Sequence, residues 1–253
     1  MFMRGFYNAT QAMLVKQREL DTVANNIDNI NTSGFRKDEV TLNTFMDELI
    51  WVQRRRATHS GTFQQTYVEE SRTNLEQGNF EFTESKFDVA IQGNVYFNIT
   101  DRNGNTFQSR SGQFELDDNG FLTLGATGRV QGLNGDIYIG TDDFVIRSDG
   151  SITSGTTGEP IDTLLLTYIP LDAPAVDVLK VGDNLFNYTG GAAMPADETF
   201  AIIQGAFEKS NVDGNKEMLK VIELQRMFEA NSSVVKAFDA INSKSSDLAK
   251  LNR

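Results

Sequence analysis

The residues that could carry nucleophilic or thiolate chemistry are few in this chain. His59 is the single histidine and no cysteine occurs, which excludes disulfides, thiolate metal sites and thiol nucleophiles. A Ser/His/Asp triad would have to use His59, but the surrounding stretch RATHSGTF lacks the Gly-x-Ser-x-Gly turn that presents a nucleophilic serine. We therefore expect no triad.

Acidic pairs are the remaining candidates for catalysis. Asp117-Asp118 and Asp142-Asp143 would suit a glycan-cleaving enzyme if Asp117 and Asp143 converged in a pocket. Adjacent strand residues face opposite sides, however, and aspartate is favoured beside hairpin turns for structural reasons. The stretch DRNGN (101–105) resembles a calcium loop, but its glycine comes two positions early and no bidentate glutamate follows. We predict a protein that is not an enzyme and has no cofactor or metal.

Charge is distributed unevenly along the chain. Residues 1–60 hold eight basic and seven acidic side chains and residues 211–253 hold seven and six, so the net charge of −12 leaves −14 for residues 61–210. An acidic surface disfavours nucleic acid and anionic lipid, which bind through Lys/Arg footprints. Arg54-Arg55-Arg56 is the one dense basic run. It is either a solvated loop or a contact with an acidic segment, from the same or another subunit.

The apolar content favours a folded core rather than a membrane anchor. The chain has 253 residues, 39% of them hydrophobic, which is enough for one large domain or two modest ones. Its apolar runs, such as Ala12 to Val15, are far shorter than the roughly 18 residues of a membrane span, and no apolar stretch follows Arg4. We expect no direct membrane insertion and no secretory signal peptide.

Residues 3–31 are predicted to form one amphipathic helix. Its apolar stripe advances in alternating steps of three and four and is interrupted only by Lys16, a spacing typical of a coiled-coil seam. The stripe consists of Phe6, Ala9, Met13, Lys16, Leu20, Val23, Ile27 and Ile30.

The C-terminal residues repeat this pattern after a capping box at 210–213. The stripe consists of Leu224, Met227, Asn231, Val234, Phe238, Ile241, Ser245 and Leu248, with a second apolar row of Met218, Val221, Ile222, Phe228 and Val235 beside it. One partner helix cannot cover both rows. Asn231 and Ser245 are either tolerated polar positions or register-setting ones, because a buried amide is satisfied in one alignment only. We predict that the two terminal helices pair as a coiled-coil-like stalk.

Between the helices the hydrophobic period changes to that of strands. Short β-branched and aromatic segments are separated by Asn103-Gly104, Asn119-Gly120, Asn134-Gly135 and Asp149-Gly150. These dipeptides favour type I′ hairpin turns. The middle of the chain is therefore predicted to be an antiparallel, all-β meander that closes into a barrel-like or sandwich-like domain.

The predicted fold class is α+β, with four regions along the chain. Residues 1–36 and 211–253 form the terminal helical domain, and residues 80–170 form the central all-β domain. Residues 37–79 are an extended linker and loop region. The prolines lie at or after the end of the β domain, so residues 171–210 are predicted to be an irregular return segment.

The stretch ANNIDNINTSGF (24–35) is unusually rich in asparagine for a helix, because the asparagine amide competes for the backbone. The amides of Asn25, Asn26, Asn29 and Asn31 can both donate and accept, so neighbouring subunits can satisfy them. Gly34 permits a turn closed to other residues, and Phe35 can anchor the next segment.

Motifs in three parts of the chain carry a resemblance to a known family. They are ANNIDNINTSGFRK (24–37), KFDVAIQGNVYFNI with SGQFELDDNGFLTL (86–124), and SNVDGNKEMLKVIELQRMFEANS (210–232). In this order they resemble the flagellar basal-body rod and hook family, most nearly the rod proteins. The resemblance implies a structural subunit of the drive shaft that carries torque from motor to hook, with its β domain outside the inner tube. It also implies a substrate of the flagellar type III export apparatus, located in the cell-envelope basal body.

Two seams too long for one domain must be covered by each other and by neighbouring copies, and heterologous contacts that do not close build a helical filament. The expected partners are other copies of the chain and adjacent rod or hook proteins. The alternative function is a secreted β-domain binding module on a coiled-coil stalk, which would form a small closed oligomer. The predicted subunit-interface residues are Phe6, Met13, Leu20, Val23, Asn25, Asn26, Ile27, Asn29, Ile30, Asn31, Gly34, Phe35, Leu224, Met227, Phe228, Asn231, Val234, Phe238, Ile241 and Leu248.

Replacing Ile27 and Ile30 together by Asp is expected to abolish assembly and leave the β domain folded, because a charge in a packed seam is costly without a partner. Sedimentation across a range of concentrations measures assembly, and circular dichroism reports the fold. Normal motility of cells that carry the double variant would contradict the seam assignment.

Overall fold

A computed structural model describes residues 2–44, 66–171, 178–182, 184–190 and 199–251 of the protein. The chain divides into two compact units. Unit 1 consists of Met1–Asp28, Asp38–Arg72 and Asp213–Arg253, and unit 2 consists of Asn29–Lys37 and Thr73–Val212. The two ends of the chain therefore belong to one unit, and the central residues join a short N-terminal segment in the other.

The N-terminal helix α1 spans Phe2–Asp28 and ends three residues before the predicted boundary. A turn begins at Asn29, whose carbonyl oxygen accepts from the Thr32 amide at 3.2 Å. The Asn29 side-chain oxygen also accepts from the Thr32 hydroxyl at 3.1 Å. Local side-chain bonds of this kind compete with helix formation. Asn29 and Asn31 therefore lie beyond the helix rather than within it.

The C-terminal helix α2 spans Gly214–Leu251. Asp213 caps it, because its Oδ1 accepts from the backbone amides of Asn215 at 3.1 Å and Lys216 at 3.3 Å, which a helix start otherwise leaves unpaired. The bond from the Lys216 amide lowers the pKa of the Asp213 carboxyl. Ser210, the first residue of the predicted capping box, lies upstream of the observed cap. Its Oγ accepts from the Val212 amide at 3.3 Å.

The predicted coiled-coil-like stalk is wrong. The described residues of unit 1 hold two helices, which contact each other, but the predicted α2 seam is not buried. Met227, Val234 and Ile241 are 40%, 45% and 50% exposed, whereas a coiled coil buries its seam positions. The reason is that α2 turns a different stripe inward, namely Glu217, Val221, Leu224, Phe228, Asn231, Val235 and Phe238. The mixed α+β character remains, since the described chain combines terminal helices with many antiparallel strands.

Short strands account for about half of the remaining described chain. Strands β1 (Asp38–Thr44) and β2 (Thr66–Thr73) pair with each other. The others are β3 (Phe80–Phe82), β4 (Val89–Gln92), β5 (Val95–Thr100), β6 (Thr106–Ser109), β7 (Glu115–Leu116), β8 (Leu122–Leu124), β9 (Gly128–Gly132), β10 (Gly135–Asp136), β11 (Phe144–Ile146), β12 (Ser151–Ser154), β13 (Pro160–Thr163), β14 (Leu166–Tyr168), β15 (Val178–Lys180), β16 (Leu185–Tyr188), β17 (Ala201–Gln204) and β18 (Ala206–Glu208).

The described residues of unit 2 form one large sheet and three smaller ones. The nine-stranded sheet has the order β15-β16-β6-β5-β9-β8-β7, with β10 paired to β9 and β14 to β5. A three-stranded sheet has the order β11-β12-β13, while β17 pairs with β4 and β18 with β3. The antiparallel prediction is confirmed for these ladders, but the order is not a simple meander. Residues 178–208 of the predicted return segment supply four of the strands.

The four predicted turn dipeptides do connect paired strands, at β5–β6, β7–β8, β9–β10 and β11–β12. The glycine of each dipeptide has a positive φ, from 83° at Gly120 to 117° at Gly135. Among the described non-glycine residues only Asn184 has a positive φ, so the residue before each of these glycines does not. A type I′ turn needs positive φ at both central residues, so that turn type is wrong. A type I turn followed by a left-handed glycine fits these angles.

The core of unit 2 lies around β5. Its first five residues, Val95 to Ile99, are all buried, and the rings of Phe97 and Phe114 meet edge to face with centroids 4.9 Å apart. Such aromatic pairs stabilise a core beyond the area they bury.

Phe97→Ala is expected to lower the free energy of unfolding by about 3–5 kcal/mol, because it removes a fully buried ring and leaves a cavity. Phe82→Ala is the matched control, since Phe82 is 74% exposed on β3, and it should change stability by no more than about 0.5 kcal/mol. Urea unfolding followed by fluorescence measures both. Equal losses in the two variants would contradict the assignment of the core.

Candidate assembly surface

One flank of α2 forms the first candidate surface. We call Met227, Val234 and Ile241 the outer row. They recur every seven residues and are all exposed. Seven residues are nearly two turns of an α-helix, so the three side chains line one strip. A strip of large apolar side chains in water is typical of a protein–protein interaction site.

A second apolar cluster lies near the start of α2. We call Met218, Leu219 and Ile222 the upstream group, and Met218 and Leu219 are 63% and 68% exposed. At 100° per residue, this group is centred roughly 160° around the helix from the inward stripe. The inward stripe, the outer row and the upstream group therefore occupy different sides of α2.

The predicted interface residues of the N-terminal region differ in burial. Phe6, Asn25 and Asn31 are exposed, Met13, Leu20, Ile27, Asn29 and Ile30 are partly buried, and Val23, Asn26, Gly34 and Phe35 are buried. The Asn26 amide is satisfied within the chain, because its Nδ2 donates to the Asp38 carbonyl oxygen and its Oδ1 accepts from the Asp38 amide, both at 2.9 Å. Asn26 therefore fastens the end of α1 to the start of β1.

The predicted interface residues of α2 likewise divide between the sides of the helix. Leu224 is buried, and Phe228, Asn231 and Phe238 are partly buried in the inward stripe. Met227, Val234 and Ile241 form the outer row, and the side chain of Leu248 lies outside the described residues. Their role between subunits stays a prediction.

In unit 2, residues 33–37 contact residues 208–211, and we call this contact the joint. The Gly34 amide donates to the Glu208 carbonyl oxygen at 2.7 Å, and the Asn211 amide donates to the Phe35 carbonyl oxygen at 3.3 Å. The Asn211 side chain accepts from the Lys37 amide at 2.8 Å. The joint thus connects two of the sequence motifs that are far apart along the chain.

Three buried charged side chains lie within the joint, and we call Arg36, Glu208 and Arg110 the ionic cluster. Glu208 is 0% exposed, Arg36 1% and Arg110 2%. Arg36 Nη1 donates to Glu208 Oε1 at 2.5 Å, and Arg110 Nε donates to Glu208 Oε2 at 2.5 Å. The Gly78 amide also donates to Oε1, at 2.7 Å. Every oxygen of this carboxylate therefore has a donor.

The ionic cluster places two cations against one anion. Burial lowers the pKa of the Arg110 guanidinium. The negative charge of Glu208 opposes this shift, and the positive charge of Arg36 reinforces it. Arg110 Nη1 donates to the Val95 carbonyl oxygen and Nη2 to that of Ile91, the latter at 2.7 Å. These carbonyl dipoles offset part of the second positive charge, because hydrogen bonds to charged groups are strong in a low-dielectric interior.

Gly34 and Phe35 complete the joint. Gly34 has a φ of +67°, and a Cβ there would overlap the backbone of Arg110 and Ser111. Phe35 is 2% exposed, and Lys180 Nζ lies 3.9 Å from its ring centroid while donating to the Arg36 carbonyl oxygen at 2.9 Å. The predicted roles of Gly34 as a turn and Phe35 as an anchor therefore operate inside one chain.

The acidic pairs do not form one catalytic site. Asp117 lines a hollow of about 630 Å³, while Asp143 lines a different hollow beside Lys86. The Phe121 amide and then Arg129 lower the pKa of Asp117. The Thr156 hydroxyl and then Lys86 lower that of Asp143. Each carboxylate is held as an anion by its own neighbours, so the two do not act together.

Other chemical features are also accounted for within the described parts of the chain. None of their helices is long and apolar enough to cross a membrane, and no cluster of three or more potential metal-ligating side chains occurs among them. Asp101 of the DRNGN stretch accepts from the Asn103 and Asn105 amides at 2.7 and 2.9 Å, as in a turn. His59 and Arg54-Arg55-Arg56 lie outside the described residues.

The sequence reasoning missed the ionic cluster. Arg36 follows Gly34-Phe35 in the first motif, and Glu208 lies two positions before Ser210, where the last motif begins. Two members of the cluster therefore lie in or beside the sequence motifs. Charged residues are almost never fully buried unless they are paired. No local pattern shows that residues 172 positions apart are partners.

Comparison with known proteins identifies relatives over most of the chain. Residues 6–36 match the family model of the flagella basal body rod protein, residues 90–154 that of the flagellar hook protein FlgE/F/G D1 domain, and residues 203–248 that of the flagellar basal body rod FlgEFG protein C-terminal region. The chain is similar to "Flagellar basal-body rod protein FlgG" of Borreliella burgdorferi (30% identity, 94% of this chain and 95% of the relative) and Bacillus subtilis (31%, 94% and 96%). The protein of the same name from Agrobacterium fabrum is 31% identical over 95% of this chain and 97% of its own length.

Gly34→Ala is expected to destabilise unit 2 more than Gly104→Ala, because both glycines have positive φ but only Gly34 is crowded. Gly104→Ala is the control and should lower the free energy of unfolding by about 1–2 kcal/mol, the penalty of a side chain in the left-handed region. Gly34→Ala should lower it by at least about 1 kcal/mol more. Denaturant unfolding of both variants measures the difference. Equal stability would contradict the close packing of the joint.

Proposed function

Because this chain belongs to the flagellar basal-body rod protein family, we propose that α2 carries the contacts through which its copies assemble into the rod. The protein is a structural subunit of the flagellar basal-body rod and is located in the flagellum basal body. The proposal concerns how it assembles there. The observation that carries it is the outer row, three large apolar side chains exposed at heptad spacing.

The outer row supports an intermolecular role because the inward stripe already serves the contacts within unit 1. Met227, Val234 and Ile241 remain 40–50% exposed, so burying them against another subunit would remove apolar surface from water at about 25 cal/mol per Å². Heptad spacing suits a helix as the partner surface, since a helix presents its own side chains at the same period.

Two apolar surfaces on different sides of α2 support open-ended growth. A subunit that uses its outer row and its upstream group for different neighbours makes heterologous contacts, and these generate filaments when the rotation does not close. The partners on this proposal are other copies of the chain and adjacent rod or hook proteins. Such a filament carries torque along its axis as a drive shaft.

On this proposal the protein acts mechanically and not as an enzyme, because Asp117 and Asp143 each accept hydrogen bonds from different neighbouring side chains. The flagellar export apparatus is the proposed route to the rod. A binding module on a coiled-coil stalk is not favoured by any observation, since the stalk itself is absent from the described unit 1.

Val234→Asp is expected to weaken assembly strongly while leaving the folded monomer intact, because Val234 is exposed in one chain and a charge in a packed contact is costly. A loss of about 2 kcal/mol per contact corresponds to a roughly thirtyfold weaker association. Sedimentation and negative-stain micrographs of the purified protein measure assembly.

Val145→Asp is the matched control, because Val145 is 43% exposed on β11 of the other unit. It should assemble as the unmodified chain does. Normal filaments from Val234→Asp, or equal loss in both variants, would contradict the proposed role of the outer row.

A further inference from the structure

We propose that the ionic cluster is a folding lock, which closes after the local hairpins and only when both ends of unit 2 are present. Its three members come from the first motif, the middle of the sheet region and the last strand, β18. Glu208 lies 172 residues from Arg36 and 98 residues from Arg110. No other part of unit 2 supplies a carboxylate to either guanidinium among the ion pairs of the described chain.

The sequence separations place the lock late in folding. The hairpins β5–β6 and β7–β8 join residues at most twelve positions apart, whereas the two ion pairs of the lock close loops of 98 and 172 residues. Loop-closure entropy grows with loop length, so local pairs form before distant ones. Hairpins that fold early therefore provide the surface on which the lock closes.

Electrostatics makes the lock dependent on Glu208. Without it, docking of residues 33–36 would bury Arg36 beside Arg110 with no counter-charge, and removing one partner of a buried ion pair is strongly destabilising. The Gly78 amide would lose its carboxylate acceptor as well, whereas the Gly34 amide donates to the backbone carbonyl oxygen of Glu208 and would keep that bond. Each missing bond leaves a buried donor unsatisfied.

The lock also sets when unit 2 can finish folding during transport, and this step rests on the proposed export of the chain. When a chain emerges from a transport channel with one end leading, Arg36 and Glu208 leave it at different times. Unit 2 therefore stays open until the trailing end arrives, whichever end leads. The lock delays completion of the folded body until transport is nearly finished.

The order of folding can be measured on the unmodified full chain, independently of export and assembly. In refolding with pulse-labelled hydrogen exchange, the amides of Gly34 and Gly78 report the lock, and those of Leu122 and Ile137 report the local sheet, where both have backbone partners. The lock amides should become protected about tenfold more slowly. Protection of all four amides at one rate, or of the lock amides first, would overturn the proposal.

Glu208→Gln tests the same point through rates. It keeps the shape and removes the charge, so unfolding should accelerate by about a hundredfold or more. Refolding of the sheet should slow by less than about threefold, because the lock is absent from the transition state. Glu81→Gln is the control: Glu81 pairs with Lys209 at 2.6 Å but both are about half exposed, so both rates should be unchanged.

Refolding that slows as much as unfolding accelerates would place Glu208 in the folding nucleus and overturn the lock. If Glu208→Gln does not fold, Glu208→Asp retains the charge on a shorter side chain, and the same comparison of rates applies to it. Failure of the Val234→Asp assembly test leaves these rates unaffected, so the two proposals fail separately.

Discussion

The constraint on which unit 2 depends is the burial of two guanidinium groups and one carboxylate at the joint. A charge removed from water must find its partners inside the protein, and here Glu208 accepts from Arg36, Arg110 and the Gly78 amide. That requirement explains why residues 33–37 and 208–211 share one unit. It also explains the glycine at position 34, because its backbone passes against that of Arg110 and Ser111 where no side chain fits.

Asparagine serves the same purpose with a neutral side chain. Asn211 donates to the Asn74 and Glu76 carbonyl oxygens and accepts from the Lys37 amide, so one amide joins three segments. Asn26 does the same for the end of α1 and the start of β1. An amide is suited to such junctions because it donates and accepts together and carries no charge to desolvate. The asparagine-rich motif thus has a function within the single chain, in addition to any that neighbours add.

Helix α2 presents different side chains to its own unit and to solvent. The predicted seam and the observed inward stripe share Leu224, Asn231 and Phe238. The stripe contains Phe228 and Val235 at the steps where the predicted seam has Met227 and Val234. Both choices keep steps of three and four, so periodicity cannot distinguish them. The residues outside the stripe are large and apolar, which is costly for an isolated chain. On our proposal, neighbouring subunits in the rod cover them.

The amino-acid sequence by itself determined the terminal helices, the antiparallel strands, the four hairpin positions and the family, because each depends on local periodicity, turn-forming dipeptides or contiguous motifs. Only the tertiary structure decided which stripe of α2 faces inward, how the strands are ordered and which charges are buried together. Those outcomes depend on contacts between residues far apart along the chain, such as Arg36 and Glu208. A local pattern carries no information about such a partner, because the energy of the pair arises only after folding has brought the two groups out of water.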